Sequence, residues 1–287
     1  MQKFTSFDLR VMCRDSASVV TDSVQGKVKV MEEGVALQIA EETGSHPREV
    51  YTCAMREGVW PLRYLRNTES ISLREQLRLS ESGAAVVGAG GLGGFVISFL
   101  ARLGIGYLLV IDKDVFDQSN LNRQAFAGVD SLNRSKAEVS EESVRNMNPG
   151  VEMDVIHGDV AIDVENWSGM QVIVDALDNI RDRFFLEKLA GKLGIPFCHA
   201  AVSGFEGRLM TVFPEDRGLS LLYGEEETGE DGEELQDRLG VPVVSPALIA
   251  SLQATEVIKI LLGKGSDLRE RMLYVDLENV YTEIFSL

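Results

Sequence analysis

Cysteine is scarce and scattered. The 287-residue chain has three, Cys13, Cys53 and Cys198, and no two form a C-x-x-C pair. That excludes a zinc site with four cysteine ligands and any disulfide framework. It fits a reducing, cytoplasmic setting. Basic residues are also few: 28 Lys and Arg stand against 45 Asp and Glu, a net charge of −17. Bulk nucleic-acid binding, which depends on cations neutralising phosphates, is not expected. Nor is a membrane span. The N-terminus carries Lys3, Asp8, Arg10 and Asp15 and lacks the apolar core of a signal peptide. The longest apolar run, 95–111, is broken by Arg102, Gly104 and Gly106 and reads as helix, turn, strand. The remaining composition, 45% hydrophobic and 25% charged, is that of a globular protein with ample core.

Glycine, by contrast, is concentrated. An apolar run over 84–87 ends in Gly88-Ala89-Gly90-Gly91-Leu92-Gly93-Gly94, and an apolar helical segment follows. This is a strand feeding a tight turn feeding a helix N-terminus. Such a turn offers backbone N–H groups and a positive dipole end to a phosphate. Gly88, Gly90 and Gly93 have G-x-G-x-x-G spacing.

The pattern alternates onward from there. Strands are expected over 84–87, 107–111, 151–157, 172–176, 197–201 and 208–213, with helices over 93–103, 135–146 and 182–192. That order implies a Rossmann-like, mainly parallel sheet with helices on both faces. A capping Ser245 and first-turn Pro246 open a broad apolar helix ending at Gly263. The last residues, 272–275 and 280–285, read as a hairpin. Residues 1–60 form a separate α/β or helical appendage before a domain over 61–287. Helices over 33–42 and 48–57 flank Thr43-Gly44-Ser45-His46-Pro47, with Ser45 as the cap. This could be a helix-turn-helix, but balanced charge favours a packing module. The run 225–234 is dominated by Asp and Glu and reads as a solvated loop.

The glycine turn alone does not choose a nucleotide. Asp112 ends the second strand, where a carboxylate can accept ribose hydroxyls in NAD or ATP enzymes alike. The next segment decides. Asn120, Arg123 and Lys136 gather cations and donors just past that carboxylate. A triphosphate needs them; hydride transfer does not. Asp178, in Asp175-Ala176-Leu177-Asp178-Asn179, ends another strand on the same sheet edge and suits Mg²⁺. The plain alternatives are surface charges at Arg123 and Lys136 and a helix cap at Asp178.

These residues carry a resemblance. The glycine turn, Asp112-Lys113-Asp114, Ser119-Asn120-Leu121-Asn122-Arg123-Gln124, Lys136 and Asp178-Asn179 resemble the MoeB/ThiF/HesA family, relatives of ubiquitin-activating enzymes. Arg63-Tyr64-Leu65-Arg66 is similar to its R-Y-x-R element, and Ser251 to Glu256 to its late helix. The resemblance spans residues 60–287. It implies an ATP-dependent adenylyltransferase that activates the C-terminal carboxylate of a ubiquitin-like sulfur carrier ending Gly-Gly, in molybdopterin-, tungstopterin- or thiamine-type pathways. It also implies site residues. Asp112 would hold the ribose. The turn of Gly88, Gly90, Gly91 and Gly93 would line the phosphates, with Asp114, Gln124 and Asn179 nearby. Asn120, Arg123 and Lys136 would bind the phosphates, and Asp178 would bind Mg²⁺. Family members are homodimers, so Arg66 would reach the neighbouring subunit's γ-phosphate.

The chain departs from that family in lacking both C-x-x-C pairs, so no zinc is expected. No cysteine follows Cys198, which sits in an apolar strand and reads as core. The expected output is an adenylate, with sulfur supplied by another protein. The alternatives are a tRNA threonylcarbamoyladenosine dehydratase-like enzyme, a nucleotide-binding regulator without turnover, and, on the glycines and Asp112 alone, an NAD-dependent dehydrogenase.

Overall fold

The computed structural model describes residues 6–24, 26–159, 167–224, 239–266 and 268–287. The acidic run at 225–234 lies outside them.

The N-terminal unit is α1 (Ser6–Asp15), β1 (Ser18–Asp22), β2 (Gly26–Met31), α2 (Glu33–Thr43), α3 (Pro47–Arg56) and β3 (Trp60–Pro61). It is α/β rather than helical, with a three-stranded sheet in the order β1-β2-β3. A 3₁₀ helix, Leu62–Asn67, continues it. The boundary expected at 60 falls inside β3, whose Trp60 pairs with Val30 and shares a small core with Tyr64. The cap of α3 is His46, not Ser45. Pro47 holds the residue before it extended, and His46 Nδ1 accepts the Arg48 amide at 3.2 Å.

The helix-turn-helix reading fails for a geometric reason. α3 buries Val50, Tyr51, Cys53, Ala54 and Met55. From its first turn, Arg48 Nε donates to the Ser80 carbonyl at 3.0 Å and Nη1 pairs with Glu152 at 3.1 Å. The helix faces the rest of the protein, not a groove.

After α4 (Leu73–Ser80), opened by a Ser72/Glu75 capping box, comes the main sheet. Its strands are β4 (Gly83–Val87), β5 (Tyr107–Asp112), β6 (Glu152–His157), β7 (Ile173–Asp175), β8 (Phe197–Ser203), β9 (Glu206–Val212), β10 (Arg271–Asp276) and β11 (Tyr281–Ser286). The spatial order is β11-β10-β9-β8-β7-β4-β5-β6. The segment from β8 to β6 is parallel, and β9, β10 and β11 add antiparallel. β10 and β11 form the expected terminal hairpin.

Every residue of β4 is buried, as a parallel strand covered on both faces requires. One face carries α5 (Gly91–Leu103), α6 (Lys136–Met147) and α9 (Val244–Leu261). Val96, Ile97, Leu100, Ile249 and Val257 pack there on Val86, Leu108 and Val110. The other face carries α7 (Ile180–Leu193), with Phe184, Leu186 and Leu189 on Val87, Leu109 and Ile173. A short helix, α8 (Ser220–Tyr223), follows β9.

α9 begins one residue before Ser245, whose Oγ donates to the Gly204 carbonyl at 2.7 Å instead of capping the helix. By length and composition α9 could cross a bilayer, but half of it is buried within the protein, as a core helix would be.

β4 lies between β7 and β5, with β5 and β6 added on one side and β7 and β8 on the other. Strand order therefore reverses at β4, and a crevice opens at the C-terminal ends of β4, β5 and β7. The N-terminal unit sits at the opposite end of the strands. Arg48 meets the start of β6, and Arg63 Nη1 donates to the Met147 carbonyl at 3.1 Å.

Candidate nucleotide-binding site

The crevice is a cleft of ≈ 1190 Å³. The first turns of α5, α6 and α7 all contribute to its wall, through Gly91, Lys136 and Arg181. Three helix N-termini thus aim their positive dipole ends at one space.

The glycines divide into two groups. Gly88 has φ 99°, a left-handed conformation that favours glycine, and a Cβ there would lie 2.5 Å from the Ala176 carbonyl oxygen. A Cβ on Gly93 would come within 1.8 Å of the Gly88 oxygen. Gly93 is absent from the cleft wall and serves the close packing of helix on turn. Gly90 and Gly91 have no neighbour within 3.6 Å of where a Cβ would stand, and they face the cleft.

Asp112 holds this turn. Its Oδ2 accepts the Ala89 amide at 2.6 Å and its Oδ1 accepts the Asp114 amide at 2.8 Å. Burial pushes its carboxyl above the usual carboxylate range, against the pull of those two amides. Each oxygen keeps a second lone pair for a ligand hydroxyl.

Lys136, at the first turn of α6, is buried and pairs with Asp114 Oδ2 at 2.9 Å. Arg123 lines the cleft, with Nη1 donating to the Ser119 carbonyl at 2.6 Å and to Asn122 Oδ1 at 3.1 Å. Gln124 also lines it, and its buried Oε1 has no partner among the described residues, the kind of acceptor a bound ligand satisfies.

Asn120 is buried in the loop after β5. Its Oδ1 accepts the Asp117 amide at 3.1 Å and its Nδ2 donates to Ser119 Oγ at 3.3 Å. It shapes the loop from within and is not on the cleft wall. Asp178 does line the cleft, and its carboxylate makes no hydrogen bond or ion pair among the described residues. The helix-cap alternative falls on its neighbour: Asn179 Oδ1 accepts the Asp182 amide at 2.9 Å and caps α7. Arg66, an exposed residue of the 3₁₀ helix, is not on the cleft wall of its own chain.

Cys198 is fully buried, and burial pushes its thiol far above the ordinary value. Its Sγ faces the Gln253 carbonyl at 3.9 Å. It is a core residue.

Sequence reasoning missed several groups. Lys113, Arg181 and Asp159 join the cleft wall, and Lys113 Nζ lies 3.6 Å from Asp159. Behind the wall stand Asp175, Arg183 and His199, all buried. Burial lowers the His199 pKa below its ordinary value despite the adjacent Asp175. The one signal for His199 was a polar residue inside an apolar strand.

A doubly wound α/β fold whose switch-point crevice is lined by a glycine turn, a buried strand-end carboxylate and cations has the layout of a nucleotide-binding protein. The chain belongs to the ThiF family, an adenylyltransferase family, whose signature matches residues 64–287. It is 36% identical over 222 residues to the SAMP-activating enzyme E1 of Haloferax volcanii, covering 75% of this chain and 80% of that protein. It is 31% identical over 221 residues to a probable molybdopterin-synthase adenylyltransferase of Porphyra purpurea, covering 76% of this chain and 58% of that one. Among solved structures, E. coli MccB with ATP superposes with a TM-score of 0.64 at 19% identity, over 88% of this chain and 82% of that chain, a likeness of fold.

Proposed function

We propose that this chain uses ATP to adenylate the C-terminal carboxylate of a small ubiquitin-like sulfur carrier ending Gly-Gly, as a cytoplasmic homodimer. The observation that carries the reading is the convergence of Arg123, Lys136 and Asp178 on the cleft lined by Gly90 and Gly91. The relatives' names support the substrate class: one activates SAMP, another adenylates for molybdopterin synthase.

The chemistry needs little from the protein as acid or base. A chain-terminal carboxylate titrates at about 3.5 and is already ionised at neutral pH. One carboxylate oxygen bonds to the α-phosphorus, the bond from that phosphorus to the β-phosphate bridge breaks, and pyrophosphate leaves with the electron pair. The obstacle is repulsion between anions. Gly90 and Gly91 amides, Arg123 and Lys136 would neutralise the phosphates, and Asp112 would fix the ribose. Asn120 acts through the loop it holds, Asp114 through Lys136, and Asn179 through the start of α7. Arg66 would complete the γ-phosphate site of a partner subunit.

The donor set fits Mg²⁺: Asp178 is a hard oxygen ligand with no partner among the described residues, and phosphates and water would supply the other ligands such an ion takes. When bound, that ion offsets phosphate charge. The test is nucleotide recovery and turnover. Purified protein should bind ATP and exchange labelled pyrophosphate into it only when a Gly-Gly carrier is present. Bound NAD, or tight tRNA binding at moderate salt, would overturn the reading.

A further inference from the structure

Behind the turn that presents Asp178 lies a buried polar ring that the adenylation chemistry does not itself use. Asp175, the last residue of β7, has its carboxylate enclosed. Its Oδ1 accepts the Leu177 amide at 2.9 Å, and its Oδ2 lies 2.6 Å from His199 Nδ1. His199 Nε2 is 3.1 Å from the Tyr223 hydroxyl. Arg183 closes the ring. Its Nη1 donates to that hydroxyl at 3.1 Å, its Nη2 donates to the Leu177 carbonyl at 2.6 Å, and its Nε stands 3.6 Å from Asp175 Oδ2. Gln253, on α9, donates to the Asp175 carbonyl at 2.8 Å. Both ends of the Asp175–Leu177 turn are therefore gripped by side chains from α7, β8 and α9.

The direction of each bond follows from the donor inventory. A carboxylate accepts only, so His199 Nδ1 carries the hydrogen. Nε2 is then an acceptor, and the Tyr223 hydroxyl donates to it while accepting from Arg183. An imidazole supplies a donor at one end and an acceptor at the other, as this span requires.

We propose that His199 is a positioning residue for the phosphate site: by bridging Asp175 and Tyr223 it locks the turn from which Asp178 enters the cleft. The inference rests on the reading above that Asp178 serves metal-bound ATP. Groups hydrogen-bonded to a ligating carboxylate are worth about 10–100-fold in metal affinity; His199 acts on the turn before Asp178 and not on its carboxylate, so the lower end of that range is expected.

The experiment uses the full chain, titrating ATP binding calorimetrically with and without Mg²⁺. His199→Phe keeps a ring and removes both nitrogens. It should weaken Mg²⁺-dependent ATP binding about 10-fold while metal-free ATP binding stays at the wild-type level. His199→Asn, whose amide N–H can stand for Nδ1–H, should recover most of the loss. An unmoved Mg²⁺ dependence in folded His199→Phe overturns the proposal, and so does equal weakening with and without metal, which would mark general loosening. Should His199→Phe not fold, His199→Gln, whose longer amide stands nearer Nε2 than Nδ1 and so leaves Asp175 Oδ2 without its donor, carries the same two outcomes. Wild-type protein that binds no Mg·ATP at all would overturn the functional reading and this inference together. Wild-type binding with an unmoved variant overturns this inference alone.

Discussion

The Asp112 carboxylate accepts the backbone N–H of Ala89 at 2.6 Å, tying the end of β5 to the glycine turn that follows its neighbour β4. One side chain therefore shapes the glycine turn and, in the proposed function, would also hold the ribose. Asp112→Ala should lose both functions. A hydrogen bond to a charged group contributes about 1.5–3 kcal/mol, so ATP affinity should fall about 10-fold or more, with a lowered melting temperature. Calorimetric titration and thermal unfolding read the two effects separately.

The two groups of glycines give opposite outcomes. In Gly93→Ala the new methyl meets the Gly88 oxygen at 1.8 Å, which the backbone must move to relieve. Overpacking of this kind costs about 1–3 kcal/mol, visible as a lower denaturation midpoint. Gly91→Ala meets nothing closer than 3.9 Å and sits in a helix, where alanine is preferred. That variant should keep its stability and lose nucleotide affinity. Equal stability losses at the two positions would contradict this division.

His199 gives the protein a measurable acid sensitivity. Burial lowers its folded pKa below the unfolded value of about 6.5. Between those two values the unfolded chain binds more protons, so stability falls as pH falls through 6.5 toward the folded pKa. The slope is bounded at about 1.4 kcal/mol per pH unit for one proton. Asp112 and Glu187, whose carboxyls burial raises, act in the opposite direction. The difference between wild type and His199→Phe therefore isolates the histidine. Urea midpoints at pH 5.0, 5.5, 6.0 and 6.5 should fall more steeply in the wild type. Parallel curves would contradict a buried, neutral His199 bonded to Asp175 and Tyr223, with the Arg183 and Arg208 charges also disfavouring its protonation.

Cys198 separates an adenylate-only enzyme from one that passes its product to a thiol. Its sulfur is enclosed between β8 and α9. Cys198→Ala should cost about 1 kcal/mol of stability and leave carrier-dependent pyrophosphate exchange intact. Loss of exchange in a stably folded Cys198→Ala protein would make the thiol functional.

Much of this architecture was legible in the sequence because local signals agreed. The run Ala84 to Val87 is apolar on both faces, the mark of a central parallel strand, and the glycine turn follows at once. Asp112 ends β5 and Asp178 follows the end of β7, while Arg123 stands in the loop after β5 and Lys136 opens α6, so the chain order already suggested that all four neighbour one crevice. Features that depend on long-range neighbours were hidden. His199 meets Asp175 because β7 and β8 pair in that register. Tyr223 and Gln253 join them from elements that only the topology brings near. β1 escaped notice because it is a largely exposed strand whose partner lies across a turn. Asn120 has an amide that can serve a phosphate or its own loop, and its hydrogen bonds to Asp117 and Ser119 add a loop role that the sequence did not signal.

The central claim is tested most directly by ATP–pyrophosphate exchange in the presence of a small ubiquitin-like carrier ending Gly-Gly. Exchange should depend on the carrier, disappear when its terminal glycine is removed, and fall about 10²–10³-fold in Arg123→Ala or Lys136→Ala, by the scale of a lost transition-state donor. Protein that binds ATP yet exchanges no pyrophosphate with any such carrier, or exchange indifferent to Arg123 and Lys136, would contradict it.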